Sequence, residues 1–464
     1  MDLRLQKSTI NKQQATISIT GSKSETNRLL LLQALYPNLV LENTSNSDDS
    51  EVMMEALNLK PTTHNLQPIN IHHAGTAMRF LTAYFAIQEG SEVILTGSSR
   101  MKERPIKILV DALKQLGAEI TYTENEGYPP IKITGKKLTQ SKVSLAANVS
   151  SQYISALLLI APKLENGLEL TLEGAITSIP YIQMTLALLN EIGVTTSFEN
   201  NTIKVRHLAS IPPSGVRGLI ESDWSSASYY YSIVALSEIG TQITLSSYKQ
   251  NSLQGDAALV EIYKDFGVET IFKSNNSVTL KKHKTDNFQP SISASSPSPL
   301  ERVGERFAYN LQPTTYNLNN SPDIAQTIAV TCFGLGIGCH LTGLHTLKIK
   351  ETDRLEALKT ELTKLGASIS VTNDSLTLQS TAFHSPPLEG CPKGGVVFSS
   401  KEDLISTFST IPKIETYQDH RMAMAFAPLA LKTPLVIEEA EVVSKSYPTF
   451  WDDLKSIGFQ ISEL

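Results

Sequence analysis

GSKSETNRLLLLQAL, residues 21–35, runs from a polar entrance straight into an apolar helix, and the same junction recurs five more times along the chain. The copies are HHAGTAMRFLTAYFA (72–86), VSSQYISALLLIA (149–161), SDWSSASYYYSIVAL (222–236), SPDIAQTIAVTCFGL (321–335) and QDHRMAMAFAPLAL (418–431). Anchored at Ser24, Thr76, Ser151, Ser225, Gln326 and Met422, they stand 52, 75, 74, 101 and 96 residues apart. Such spacing marks six copies of one unit. Each helix start leaves backbone N–H groups unpaired and carries partial positive charge, so six starts aimed at one region would make an anion trap.

The end of the unit repeats as well. A helix closing on a Leu/Ile/Phe-Gly step before a strand appears five times, at Gly117, Gly193, Gly267, Gly366 and Gly458. Glycine suits the left-handed conformation that ends a helix. The first unit lacks this glycine in MEALNLKPTTHNLQPINI and has the short interval, so it is pruned. The two long intervals contain segments 287–320 and 384–397, whose Pro, Ser, Gly and Asn content and missing apolar period read as surface insertions. Within a unit the order strand, helix, strand, helix, strand, strand can be traced, which predicts an α/β protein with mixed sheets. Three units per half give two similar domains, 21–222 and 223–464, with residues 1–20 belonging to the second. A cleft between them would collect the helix starts.

At 464 residues and 41% hydrophobic, the chain can bury large cores. Its net charge of −6 argues against a general nucleic-acid binder, which needs a basic face. Any cationic site must be local. Cys332, Cys339 and Cys391 show no CxxC spacing, so neither a zinc site nor a disulfide framework is indicated, and a reducing compartment fits. The start MDLRLQKSTI alternates like a strand and lacks an apolar signal core, and no apolar run reaches membrane-spanning length. The expectation is a cytoplasmic monomer that needs no cofactor or metal.

The chemistry gathers at the helix entrances. GSKSETNR sets Lys23 and Arg28 around Ser24, although the GxxxxGK[ST] frame of a nucleotide-binding loop is absent. MKERPIKILVDAL puts Arg104 before a helix-starting Pro105, and VSSQY puts Ser150, Ser151 and Gln152 at another entrance. LKIKETDRLEALKTEL is the densest cluster, with Lys350, Glu351 and Arg354; QDHRMAMAF adds Asp419, His420 and Arg421, and VVSKSYPTFWDDL adds Lys445. Taken singly, each also reads as a capped helix or a solvated ion-pair face. The pair His72 and His73 has no spaced metal-binding partner, and GLGIG at 334–338 follows a helix instead of opening one, so it is a turn.

GSKSETNR, AGTAMR, MKERPI, SSQYISALLL, SPDIAQT, KETDR, DHRMAMA and SKSYPTFW stand in the order and approximate spacing of the 5-enolpyruvylshikimate-3-phosphate synthase family, which the chain resembles over nearly its whole length. The resemblance implies a two-domain inside-out α/β barrel of six βαβαββ units. It also implies transfer of the enolpyruvyl group of phosphoenolpyruvate to the 5-hydroxyl of shikimate 3-phosphate, through a tetrahedral intermediate and without a metal. Carried over motif by motif, Asp323 would be the base, Glu351 the acid and Lys23 a third catalytic group. Phosphoenolpyruvate would meet Lys23, Gly75, Arg104, Gln152, Arg354, Arg421 and Lys445. Shikimate 3-phosphate would meet Lys23, Ser24, Arg28, Ser150, Ser151, Gln152, Ser178, Tyr181, Asp323, Thr346 and Lys350. Lys350 and Arg354 would lower the pKa of Glu351, so its protonated form is expected only in a closed, dry complex.

The chain departs from the family pattern in three places: His73 stands where asparagine is usual, Phe80 where proline is common, and Thr346 where asparagine is frequent. Phe80 is expected to displace its helix. The related UDP-N-acetylglucosamine enolpyruvyl transferases carry a loop cysteine that the region near MKERP lacks. An inactive binding or scaffold descendant is the other alternative, and retention of both carboxylates and all five cations argues against it.

Overall fold

Among the described residues there are six sheets, and five of them share one strand order. In the computed structural model the described residues are all except 11–13, 60–66, 148–149, 177, 211–215, 285–312 and 381–410. The sheet built from Ile69–Asn70, Glu92–Thr96, Glu119–Tyr122 and Ile131–Thr134 shows the rule. Its first two strands run parallel through the helix Gly75–Ala86; the chain then crosses by Lys107–Gln115 and returns as a hairpin whose second strand pairs antiparallel with Glu92–Thr96. The sheets that begin at Lys142–Ala146, Gln14–Ile17, Thr314–Asn317 and Lys413–Ile414 repeat this arrangement.

Two strands are borrowed along the way. Leu3–Leu5, at the N-terminus, completes the last sheet by pairing with Leu435–Ile437 and Ile461–Glu463. Val216–Leu219 runs parallel to Leu39–Glu42, and among the described residues these two strands form a sheet by themselves. The connecting chains cross side by side: Gly21 bridges Ser222, and the Ser22 amide donates to the Glu221 carbonyl at 2.7 Å.

All six polar junctions are helix starts, at Lys23, Gly75, Ser151, Trp224, Ala325 and His420. These helices are buried over most of their length, which a central position provides. Gly75–Ala86 is buried at nearly every residue and packs on Ser151–Ile160; in the other half Trp224–Leu236 packs on Ala325–Leu335. The strands around them alternate buried and exposed, as in Leu168–Glu173, so each sheet turns one face inward. The apolar residues form two separate cores, one within residues 29–220 and one drawn from 3–19 and 224–459. The five step glycines all adopt positive φ, from 76° at Gly267 to 115° at Gly458.

One expectation needs correction. Segment 287–320 is not wholly a surface insertion, because Thr314–Asn317 is a strand paired parallel with Cys339–Thr342. Its polar composition hid it: an edge strand packs few side chains and needs little apolar content. The other expected insertion, 384–397, lies outside the described residues.

Candidate active site

Five of the six helix starts open on one cleft between the two cores. Lys23, Ser24, Gly75, Thr76, Ser151 and Gln152 come from three starts in the first half, and Pro322, Asp323, His420 and Arg421 from two in the second. The sixth start supplies Ser225 just behind the wall, where its hydroxyl donates to Asp256 and accepts from Arg421 at 3.3 Å. The halves touch across the cleft, Arg100 donating to the Lys350 carbonyl at 3.3 Å and Ser444 to Asp48 at 2.7 Å.

The lining holds seven Lys and Arg side chains against Asp49, Asp323 and Glu351, a local surplus of cations on an acidic chain. Arg354 is the hub. Only 1% exposed, it donates from Nε to Asp419 at 2.6 Å, from Nη1 to Asp323 at 2.9 Å and from Nη2 to Glu351 at 2.7 Å. Its place in the first turn of Arg354–Lys364 is fixed by Asp353, whose carboxylate caps that helix. Asp323 also faces Lys350 at 3.3 Å and Arg421 at 3.4 Å.

Burial alone would raise the carboxyls, but the cations prevail. Lys350, Arg421 and Arg354 hold Asp323 well below the usual carboxylate range. Glu351 is likewise held low, by Arg354 and then Arg104 and Lys23. The leading influences on Glu351 are therefore Arg354 and Arg104; Lys350 acts mainly on Asp323. Asp256 goes the other way, up to about 6, through burial and the neighbouring Asp323 charge. Burial and the adjacent cations keep His420 neutral.

Apart from Lys23, which faces Asp49 at 3.2 Å, the first half presents cations whose partners are neutral. Arg28 is buried, and its four contacts are Thr185, Ser155 and the carbonyls of Ser24 and Tyr181, none of them a carboxylate. Burial lowers its pKa to about 10, so it stays charged at neutral pH and awaits an anion. The guanidinium of Arg104 lies so close to Gly75 that a Cβ there would sit 2.6 Å from Nη1. Arg104 Nε and Thr346 Oγ1 are buried without partners. Gln152 donates to Thr76 at 3.0 Å, with Ser150 capping the helix beneath it.

The family model described as EPSP synthase (3-phosphoshikimate 1-carboxyvinyltransferase) matches residues 58–454. The chain belongs to the EPSP synthase family. Among its relatives, a 3-phosphoshikimate 1-carboxyvinyltransferase of Bacteroides fragilis is 43% identical over 96% of both chains. One from Vibrio campbellii is 32% identical over 97% of this chain and 98% of its own. The fold is similar to that of an EPSP synthase from Acinetobacter baumannii, at a TM-score of 0.71, 18% identity and full coverage of both chains.

Of the residues that the EPSP synthase motifs single out, all but Lys445 line the cleft. Lys445 stands back from it, its Nζ donating to the Gln418 carbonyl at 2.7 Å. Phe80 sits in a helix that runs unbroken from Gly75 to Ala86, and its ring lies 5.4 Å from the Arg28 guanidinium. The lining also holds Asp49, Thr76, Arg79, Pro105, Tyr153, Pro322, Ile349 and His420, to which the sequence reading assigned no role. Arg79 was visible in AGTAMR as the cation one turn after Gly75, and it braces the site by donating to the carbonyls of Gly75 and Pro105. Asp49 carried no signal beyond an ordinary acidic first turn. Among the described residues no group of three His, Cys, Asp or Glu gathers to hold a metal, and no helix is long and apolar enough to cross a membrane.

Proposed function

We propose that the chain transfers the enolpyruvyl group of phosphoenolpyruvate to the 5-hydroxyl of shikimate 3-phosphate, releasing phosphate. One observation carries the reading beyond family membership: a single buried guanidinium, Arg354, holds Asp323 and Glu351 on two of its nitrogens inside a cleft rich in cations. Two carboxylates at one place can divide base and acid work, and the surrounding cations suit two polyanionic substrates. Lys23, Arg104 and Arg421 would hold phosphoenolpyruvate, with Lys445 contributing from behind. Arg28, Ser24, Ser150, Ser151, Ser178, Tyr181, Thr346 and Lys350 would hold shikimate 3-phosphate.

In the addition step the 5-hydroxyl oxygen bonds to C2 of phosphoenolpyruvate as Asp323 accepts its proton, and Glu351 delivers a proton to C3, leaving a methyl group. In the elimination step the C2–O bond to phosphate breaks, the departing phosphate taking the bonding pair and the proton held by Asp323, while the methyl group returns one proton to the Glu351 carboxylate and the double bond is restored. Glu351 is ionised while Arg354 and Arg104 face it alone. Substrate anions neutralise those cations, and the same burial then favours the protonated acid that the step requires.

The fold reading that goes with this is an inside-out α/β barrel of six units, in domains 21–222 and 1–20 with 223–464. The shared strand order and the two separate cores support it. A cytoplasmic monomer is the form we assign, in keeping with the free, buried thiols of Cys332 and Cys339. The test is to incubate the protein with both substrates and follow phosphorus NMR. Equal growth of inorganic phosphate and an enolpyruvyl ether is expected; binding without either product would overturn the proposal.

A further inference from the structure

We propose that His73 is the proton carrier that takes over Asp49 when an incoming anion draws Lys23 away, making it a positioning residue for anion binding. The inference rests on the reaction proposed above and specifies how its cleft receives the phosphate of phosphoenolpyruvate. Asp49, in the first turn of Asp48–Asn58 and 5% exposed, divides its two oxygens between two partners. Oδ2 lies 3.2 Å from Lys23 Nζ, and Oδ1 lies 3.6 Å from His73 Nε2. That ring nitrogen is buried and makes no hydrogen bond. A shielded polar atom just beyond reach of a carboxylate is an unfinished contact, and such atoms are rare in folded proteins.

The charged groups facing the ring come from three elements: Lys23 from Lys23–Leu35, Asp48 and Asp49 from Asp48–Asn58, and Lys445 from the turn Ala440–Lys445. Asp48 is itself held by Ser444 across the seam between the halves. Burial, aided by Lys445 and Lys23, lowers the ring's pKa against the pull of the two aspartates, so His73 is neutral in the free protein near neutral pH. An anion bound at Lys23 and Lys445 cancels their repulsion and takes the ammonium from Asp49. The carboxylate would then be buried and unpaired, a costly state. A proton taken from water by His73 draws Oδ1 into an ion pair and removes that cost. Anion binding therefore takes up a proton, and affinity rises as pH falls from the ring's bound pKa to its free one.

The test is a histidine ring NMR titration of the whole chain in inorganic phosphate and in chloride of equal ionic strength, with His73 identified by its loss in His73→Asn. The His73 pKa is expected to be higher in phosphate by about one unit or more, and in Asp49→Asn that rise should vanish. An unchanged pKa overturns the proposal. A second arm compares the KM for phosphoenolpyruvate across pH: the ratio of His73→Asn to wild type should grow about tenfold as pH falls by two units. A ratio that is constant with pH would mean a merely structural role and would also overturn it. Failure of the reaction itself is a separate result, because absent turnover leaves the phosphate titration readable.

Discussion

Replacing Arg354 with lysine tests the electrostatic hub directly. One ammonium cannot reproduce a fork that meets Asp419, Asp323 and Glu351 at 2.6, 2.9 and 2.7 Å, so about two of the three charged contacts are lost while the carboxylates stay buried. Hydrogen bonds to charged groups contribute about 1.5–3 kcal/mol each, and an under-compensated buried charge adds to the loss, giving an expected destabilisation of about 3–5 kcal/mol. The effect must depend on pH. Asp323 and Glu351 have depressed folded pKa values, so their stabilisation is present above the ordinary carboxylate range and is lost as pH falls through the lower folded values. Lysine removes much of that depression. The gap between wild type and variant should therefore be widest near neutral pH and narrow in acid. Urea unfolding followed by the fluorescence of Trp224 and Trp451, both in the core of the half that holds Arg354, measures it. A loss below about 1 kcal/mol, or one independent of pH, would refute the hub.

Three further outcomes follow from the same geometry. Gly75→Ala puts a methyl group 2.6 Å from Arg104 Nη1, so the guanidinium must retreat; the KM for phosphoenolpyruvate should rise about tenfold or more, and an unchanged KM would show that Arg104 does not bind it. Asp323→Asn and Glu351→Gln should each lower kcat by about 100-fold or more while substrates still bind, as single-turnover quench and equilibrium binding would report. Glu25 is 3% exposed, and burial with the nearby Glu221 charge raises its pKa to about 7. Stability that is full below the unfolded carboxyl pKa is thus lost as pH rises toward 7, by about 3 kcal/mol, and Glu25→Gln should be more stable than wild type near pH 8 but not near pH 4.

The architecture was legible because its signals are local. A polar cap followed by an all-apolar helix needs no knowledge of distant residues, and neither does a glycine that must end a helix at positive φ. The entrances located all six helix starts, and the five step glycines all adopt positive φ. Lys23 and Arg421, charged residues inside a repeated entrance that line the cleft, were legible for the same reason, whereas Asp323 entered only through the family resemblance. Asp49 was not, because what distinguishes it is contact with Lys23 and His73, residues far along the chain in other elements. Arg354 was seen as a cation but not as a hub, since Asp419 and Asp323 lie 65 and 31 residues away. The strand Thr314–Asn317 was missed because its sequence, TTYN, lacks the apolar alternation that announces a strand packed on a core.

Running the reaction in deuterium oxide bears on the central claim most directly, because the proposed acid must put a solvent-derived proton on C3. If Glu351 protonates that carbon to a methyl group before phosphate leaves, deuterium will appear in the methylene of the enolpyruvyl product, and the Glu351→Gln protein will introduce little. Product formed at the normal rate with no deuterium in its methylene would contradict the account.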